Sequence, residues 1–117
     1  MPSRVQTLRR KAFDKQHGRC FYCSVAMWPA SPDELPGRPD PLSRYAHVRC
    51  TAEHLVARSE GGRYSPENIV AACAHCNRTR HRRKRPPIPA SYREMVMNRV
   101  RRGEWHPRWV FECGLLN

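Results

Sequence analysis

The sequence predicts a small α+β domain stapled by a metal ion, and three observations lead there. Of 117 residues, 39% are apolar and 11 are prolines, so the hydrophobic core is thin. A chain with so little core usually needs a disulfide or a metal to hold it. Its six cysteines include two C-x-x-C pairs, Cys20/Cys23 and Cys73/Cys76. That spacing suits one tetrahedral zinc site better than two separate disulfides. Finally, a short alternating stretch lies between segments of helical periodicity.

Residues 3–17 read as a helix. Ser3 can cap it, Val5, Leu8, Ala12 and Phe13 recur at helical spacing, and Gly18 can end it. The basic residues Arg4, Arg9, Arg10 and Lys11 form its solvated face, with contact to DNA phosphates as the second reading. Cys20-Phe21-Tyr22-Cys23 is the first knuckle, a turn that sets two sulfurs on one side of the chain. Residues 24–46 carry Pro29, Pro32, Pro36, Pro39 and Pro41, which break helix and strand alike. They read as an irregular surface insertion, either a connector or a loop specific to a partner or substrate.

Residues 45–54 alternate, with Val48, Cys50 and Ala52 on one face, and predict a strand ending at Glu53-His54. Ser59-Glu60-Gly61-Gly62 is a turn, and residues 69–72 form either a short second strand or the lead into Cys73-x-x-Cys76. The run after Cys76 is expected to be helical until Pro86. Residues 86–89 are a stiff linker. Ser91 would cap a last helix through about Arg102, with Tyr92, Met95, Val96 and Val100 as its packing stripe. The tail, with two tryptophans, is expected to fold back. The domain organisation expected is a single domain over 1–117, with a core at 18–85, an insertion at 24–46 and a C-terminal helical extension at 90–117. Cys50 and Cys113 are left as buried thiols or a labile pair. His75 lies inside the second knuckle, but four cysteines already complete a closed zinc site.

The formal net charge is +12, and a Zn2+ held by four thiolates lowers it by only about two. So basic a chain implies a polyanionic partner, above all nucleic acid. A membrane surface is the competitor, but apolar runs of a few residues cannot span a bilayer. The N-terminal stretch MPSRVQTLRRKAF has no apolar core of a secretory signal. The expected compartment is therefore the reducing cytoplasm, where thiols remain free to bind zinc.

The set Cys20-x-x-Cys23, Glu53-His54, Ser59-x-Gly61-Gly62, Asn68 and Cys73-x-x-Cys76-Asn77, with a basic residue three positions on, resembles the HNH endonucleases of the ββα-metal (His-Me finger) fold. The resemblance runs from Cys20 to about His81. It departs from the common pattern in three places: Glu53 stands for the usual Asp, Asn77 for a final His, and the 24–46 spacer is long. It implies the ββα-metal fold with a structural four-cysteine zinc site and flanking N- and C-terminal helices. It also implies a metal-dependent endonuclease that hydrolyses DNA phosphodiester bonds, with His54 and Asn68 as the catalytic pair.

Each position has a physical reading beside the resemblance. His54 can take a proton near neutrality, as a general base must; otherwise it is a structural strand-end histidine. By the resemblance Asn68 ties the loop after the first strand and helps orient His54; otherwise it is a turn residue. Glu53, Asn77 and His81 would hold a catalytic divalent ion. Carboxylate and amide oxygens suit Mg2+ or Mn2+, and the imidazole admits Ni2+ or Zn2+. Asn77 and His81, four apart, share a helix face, although Asn77 would also serve as an N-cap. Neighbours in a strand point to opposite faces. Glu53 and His54 can therefore serve one phosphate only if the strand twists or ends there. Arg78, Arg80, Arg82, Arg83, Lys84 and Arg85, together with Arg58 and Arg63, are the expected phosphate contacts, which position substrate without reading sequence.

Nicking with weak sequence specificity follows from one active site and no sequence-reading motif. A double-strand cut would need a homodimer, and a larger phage or bacterial DNA-processing complex would be another setting. The rival reading is a non-catalytic zinc-knuckle protein that binds nucleic acid. Such a protein has no need of a base and a second ligand set. A secreted, disulfide-stapled basic protein is a third reading, disfavoured by the paired C-x-x-C spacing.

Overall fold

Two short strands and the helix that follows them form the centre of the computed structural model, which describes residues 1–35 and 42–116. Strand β1 (Cys50–His54) pairs antiparallel with β2 (Ile69–Cys73), with Cys50 opposite Cys73 and His54 opposite Ile69. Helix α2 (Ala74–His81) starts directly after β2, with Cys73 as its N-cap. The sharp β2–α2 junction therefore sits at the second cysteine pair.

Helix α1 (Arg4–Lys15) packs against both strands. Ser3 and Gln6 close a reciprocal capping box at its start, satisfying backbone donors that a helix leaves free. Beyond its end, Gln16 acts as a stand-in strand. Its amide accepts from Ala71 N at 2.9 Å and donates to Ala71 O at 2.8 Å, which blunts the open edge of β2. Helices α3 (Pro89–Arg101) and α4 (Arg108–Glu112) complete the chain. The architecture is small α+β, a two-stranded antiparallel sheet with helices around a four-cysteine cluster, consistent with a ββα-metal HNH domain.

The core gathers from every part of the chain. Tyr22, Val25, Tyr45, Val48, Val96, Val110 and Leu115 are all fully enclosed. Burying one such aliphatic side chain stabilises by roughly 1.5–3 kcal/mol. The tail does fold back. Ala26 N donates to Leu115 O, and Trp105 Nε1 donates to the Cys76 sulfur.

Three boundaries and the placement of one segment differ from the sequence expectation. The first strand is only Cys50–His54, because Leu42–Val48 winds as a 3-10 helix that buries Tyr45 and Val48. Helix α2 ends at His81, short of Pro86. The four consecutive cations Arg82 to Arg85 repel one another, and the residue before a proline avoids helical geometry. Helix α3 begins two residues before Ser91, at Pro89, whose ring presets the first helical φ and which lacks only an N–H the helix would leave unpaired. The 24–46 segment is irregular, with a 3-10 turn at Pro32–Glu34, but it is not merely surface. Val25, Met27, Leu35 and Tyr45 are core residues. Pro36, Pro39 and Pro41 of that segment lie outside the described residues.

Candidate metal centre and active site

The first knuckle and the β2–α2 junction bring four sulfurs together. Cys20, Cys23, Cys73 and Cys76 are buried, and their sulfurs all lie within 4.8 Å of one another. Cys23 and Cys73 sulfurs are 3.9 Å apart, near the roughly 3.8 Å that Zn–S bonds of about 2.3 Å impose in a tetrahedron. Donors already surround the sulfurs. Tyr22 N and Cys73 N point at Cys20 Sγ, Cys76 N at Cys73 Sγ, Trp105 Nε1 at Cys76 Sγ and His106 Nε2 at Cys23 Sγ. Such contacts stabilise thiolate charge.

The protonation pattern makes the same point. Burial drives the Cys23 and Cys76 thiols well up. Burial also opposes ionisation of Cys20, but hydrogen bonds from Cys23, Cys73 and Cys76 override it and hold that one sulfur as the ready thiolate. Four thiolates in this space require a cation, and the donor set fits structural Zn2+. Cys50 and Cys113 carry no disulfide, and burial pushes the Cys50 thiol up to about 11.

The second constellation lies on the α2 side of β1. Thr51 and Glu53 share that face of the strand, while His54 belongs to the other, as strand alternation dictates. Glu53 is only 1% exposed, and its two oxygens have different partners. Oε2 accepts from Tyr22 Oη and Arg80 Nη1, each at 3.0 Å. Oε1 lies 2.8 Å from His81 Nε2. Asn77 Nδ2 donates to Thr51 Oγ1 at 2.9 Å and Ala52 O at 3.3 Å, tying α2 to β1. Its Oδ1 is the atom left to meet a cation. An exposed groove lined by Arg49, Thr51, Asn77, Arg78, His81 and Arg82 opens over this face.

His54 ends β1 and stacks edge-on against Tyr64, ring centroids 4.9 Å apart. Its Nε2 is enclosed and has no hydrogen-bond partner among the described residues. Burial lowers its pKa, opposed by the Glu53 charge and reinforced by Arg58 and His81, so the ring is neutral at pH 7. Glu53 and His81 are thus within electrostatic reach of His54, although the carboxylate and the imidazole leave the strand on opposite faces.

Asn68 closes the loop between the strands. Its Oδ1 accepts from Val56 N at 2.8 Å, and its Nδ2 donates to Val56 O and Arg63 O, each at 3.0 Å. The Gly-Gly turn is needed here for two reasons. Gly61 has φ +91°, and a Cβ on Gly62 would fall 1.8 Å from Val56 O.

The basic residues divide. Arg58, Arg63, Arg78, Arg82, Arg83, Lys84 and Arg85 reach solvent. Arg80 does not, and the expected phosphate contact fails there. It is 5% exposed, and its guanidinium is spent on Glu53, Pro87 O and His54 O. A buried carboxylate needs a paired charge, and this arginine supplies it. Four further residues at these centres are not flagged by sequence reasoning: Tyr22, Arg49, Trp105 and His106. Tyr22 is visible as a polar aromatic inside the knuckle. The other three reach the site through tertiary folding and leave no local signal.

Residues 37–83 match the family model of the HNH endonuclease. The match spans Glu53, His54, Asn68, the second cysteine pair, Asn77 and His81, and begins after the first knuckle. It supports a nuclease-type domain and, with it, a nucleic-acid substrate. No curated protein and no solved structure matches the chain. Among the described residues no helix is long and apolar enough to cross a membrane.

Proposed function

We propose that this chain, with its HNH match, is a metal-dependent endonuclease that hydrolyses DNA phosphodiester bonds, nicking with weak sequence specificity. The observation that carries the reading is the juxtaposition of Glu53 Oε1 and His81 Nε2 at 2.8 Å, beside Asn77 and at the end of the strand that bears His54. Two donors bound to one divalent ion at about 2.1 Å and at right angles lie roughly 3 Å apart, so these atoms fit a shared ion with little movement. Glu53, His81 and Asn77 Oδ1 would hold Mg2+ or Mn2+, with Ni2+ or Zn2+ as the alternatives an imidazole admits. The ion, when bound, supplies positive charge to the phosphate and the leaving oxygen.

The chain's own residues do the rest. His54, neutral at pH 7, accepts the proton of the attacking water; Nδ1 is the atom for this, since Nε2 is enclosed. Asn68 holds the 56–63 loop against the strand ends and so positions His54 and Arg58. Arg80 pairs with Glu53 Oε2 and fixes the carboxylate, leaving Oε1 for the ion. Arg49, Arg78 and Arg82 line the adjoining groove and, with Arg58, Arg63, Arg83, Lys84 and Arg85, would engage backbone phosphates whatever the sequence. The four-cysteine zinc is structural, since a closed set has no open position.

The test is plasmid nicking by the purified protein with Mg2+, Mn2+, Ni2+ or EDTA, beside His54→Ala of verified fold and zinc content. Cleavage should require added metal and fall by about 10²–10⁴ in the variant, the usual worth of a general base. If both proteins bind DNA and neither cuts it, the catalytic assignment is wrong. The buried Glu53–Arg80 pair would then be purely structural, in a zinc-knuckle binding module.

A further inference from the structure

Beside the cysteine cluster lies a group of side chains that the nuclease reading does not use. His47, at the end of the 3-10 helix, His75, in the first turn of α2, and His106, before α4, each offer a ring nitrogen within 4.8 Å of the other two. His47 Nε2 and His106 Nδ1 are 2.9 Å apart. The rings of His47 and His75 stack with centroids 4.4 Å apart. We propose that these three histidines form a second metal site, a three-imidazole site for a divalent transition ion, zinc being the natural occupant.

The geometry fits. Three nitrogens at about 2.0–2.1 Å from one tetrahedral ion lie roughly 3.3 Å apart. His47 Nε2 and His106 Nδ1 are already 2.9 Å apart, and His75, with a nitrogen within 4.8 Å of both, would turn out of its stack on His47 to aim at the same ion. The second contacts of the rings also leave the right atoms free. His106 Nε2 sits 3.2 Å from the Cys23 sulfur. With its proton on the thiolate, its Nδ1 lone pair faces the cluster, the arrangement in which a ligating histidine gives its other N–H to an anion. His75 packs against the Trp105 ring, and its Nε2 is enclosed with no hydrogen-bond partner among the described residues. An imidazole nitrogen enclosed without a partner is costly, and a metal ion would satisfy it. The site also has a use. The three ligands come from the segment before β1, from α2 and from the C-terminal tail. One ion would cross-link that tail to the core of a chain that has little apolar surface to hold it.

Burial first, then the neighbouring imidazoles and Arg78 at His47 and Arg78 and Arg82 at His75, disfavour positive charge on these rings. A zinc-loaded cysteine set, with a net charge of about −2, offsets the arginines. Imidazole ligation favours Zn2+, Ni2+ or Cu2+ over Mg2+ or Ca2+. His47 and His75 are only partly buried, so the ion can enter, and a fourth position is left for water. On binding, the proton that His47 shares from Nε2 with His106 moves to its own Nδ1, and no net proton is released.

Cobalt titration of the metal-free protein, followed by visible absorption, decides the matter. The cysteine site should announce itself by thiolate-to-cobalt charge-transfer bands. A further equivalent should add ligand-field bands with no gain in the thiolate bands. His47→Gln and His106→Gln should each bind one cobalt fewer than wild type and keep the thiolate bands. His81→Ala should keep the histidine-type equivalent. The proposal is overturned if wild type binds cobalt only through thiolate, if His47→Gln and His106→Gln bind as many ions as wild type, or if the second equivalent disappears with His81→Ala instead. That last result would assign it to the nuclease centre. Plasmid nicking by His47→Gln, expected to equal wild type, separates failure of this site from failure of the nuclease reading.

Discussion

The cysteine cluster and the Glu53 centre are built on the same β-hairpin and the helix after it, yet they are finished differently. Around the sulfurs every donor points inward. Backbone amides, an indole and an imidazole already face the thiolates, and all four residues are buried. A site completed in this way binds its ion as part of folding. The Glu53 carboxylate is completed on one side only. Arg80 and Tyr22 hold Oε2, while Oε1 faces His81, a residue whose side chain is 37% exposed. One centre is closed on all sides and the other is open at one edge. That contrast is what the proposed function builds on, with a structural ion in the closed set and, in that proposal, an exchangeable one at the open edge.

The strongest way to break the comparison is to remove a sulfur. Cys76→Ser should abolish zinc retention and leave the protein unfolded near physiological temperature, since structural zinc contributes about 10–16 kcal/mol of apparent binding free energy in small domains. Zinc content and far-ultraviolet circular dichroism measure this. A folded, zinc-free variant would mean that the cluster is dispensable.

Next in size is the ion pair behind the open centre. Arg80→Met should destabilise by about 3–5 kcal/mol, because buried Glu53 would lose its arginine and be left with Tyr22 and His81. Urea unfolding reads this out. Adding Glu53→Gln to Arg80→Met should recover part of the loss, since the buried charge then disappears. If the double variant is no better than the single one, Arg80 acts through packing and not through charge.

The smallest effect is expected in the loop. Asn68→Ala removes the three exposed hydrogen bonds to Val56 and Arg63 and should cost about 1–2 kcal/mol. Hydrogen exchange at residues 56–63 should accelerate while zinc content stays unchanged. An unaltered exchange pattern would show that the Gly61-Gly62 turn holds the loop without the asparagine.

Much of the fold is legible in the chain. The capped first helix, the second strand, the paired knuckles and the packing stripe of α3 are local patterns, set by spacing over a few residues. Alternation overextends the first strand, because Tyr45 and Val48 fit β-structure, yet both are buried by a 3-10 turn, with Tyr45 against Trp109 of α4. The basic run misleads in a similar way. As sequence, Arg78 to Arg85 is one block of charge, but helical geometry turns Arg80 inward to Glu53 and leaves its neighbours in water. Asn68 is legible as a loop tie only by resemblance, since its contacts to Val56 and Arg63 span residues that no periodicity relates.

What the sequence determined by itself is the chemistry on offer: four thiols in zinc spacing, a carboxylate beside a histidine, and a strong positive charge. These depend on residue type and short-range spacing, which the chain carries whether folded or not. Only the tertiary structure decided how those groups are paired. It showed that Glu53 is shared between Arg80 and His81, and that Glu53 and His54 leave the strand on opposite faces. It also showed that His47, His75 and His106, far apart in the chain, meet beside the sulfurs. The reason is physical. A buried charge or an enclosed lone pair takes whichever partner packing brings within reach, and packing is a property of the whole chain.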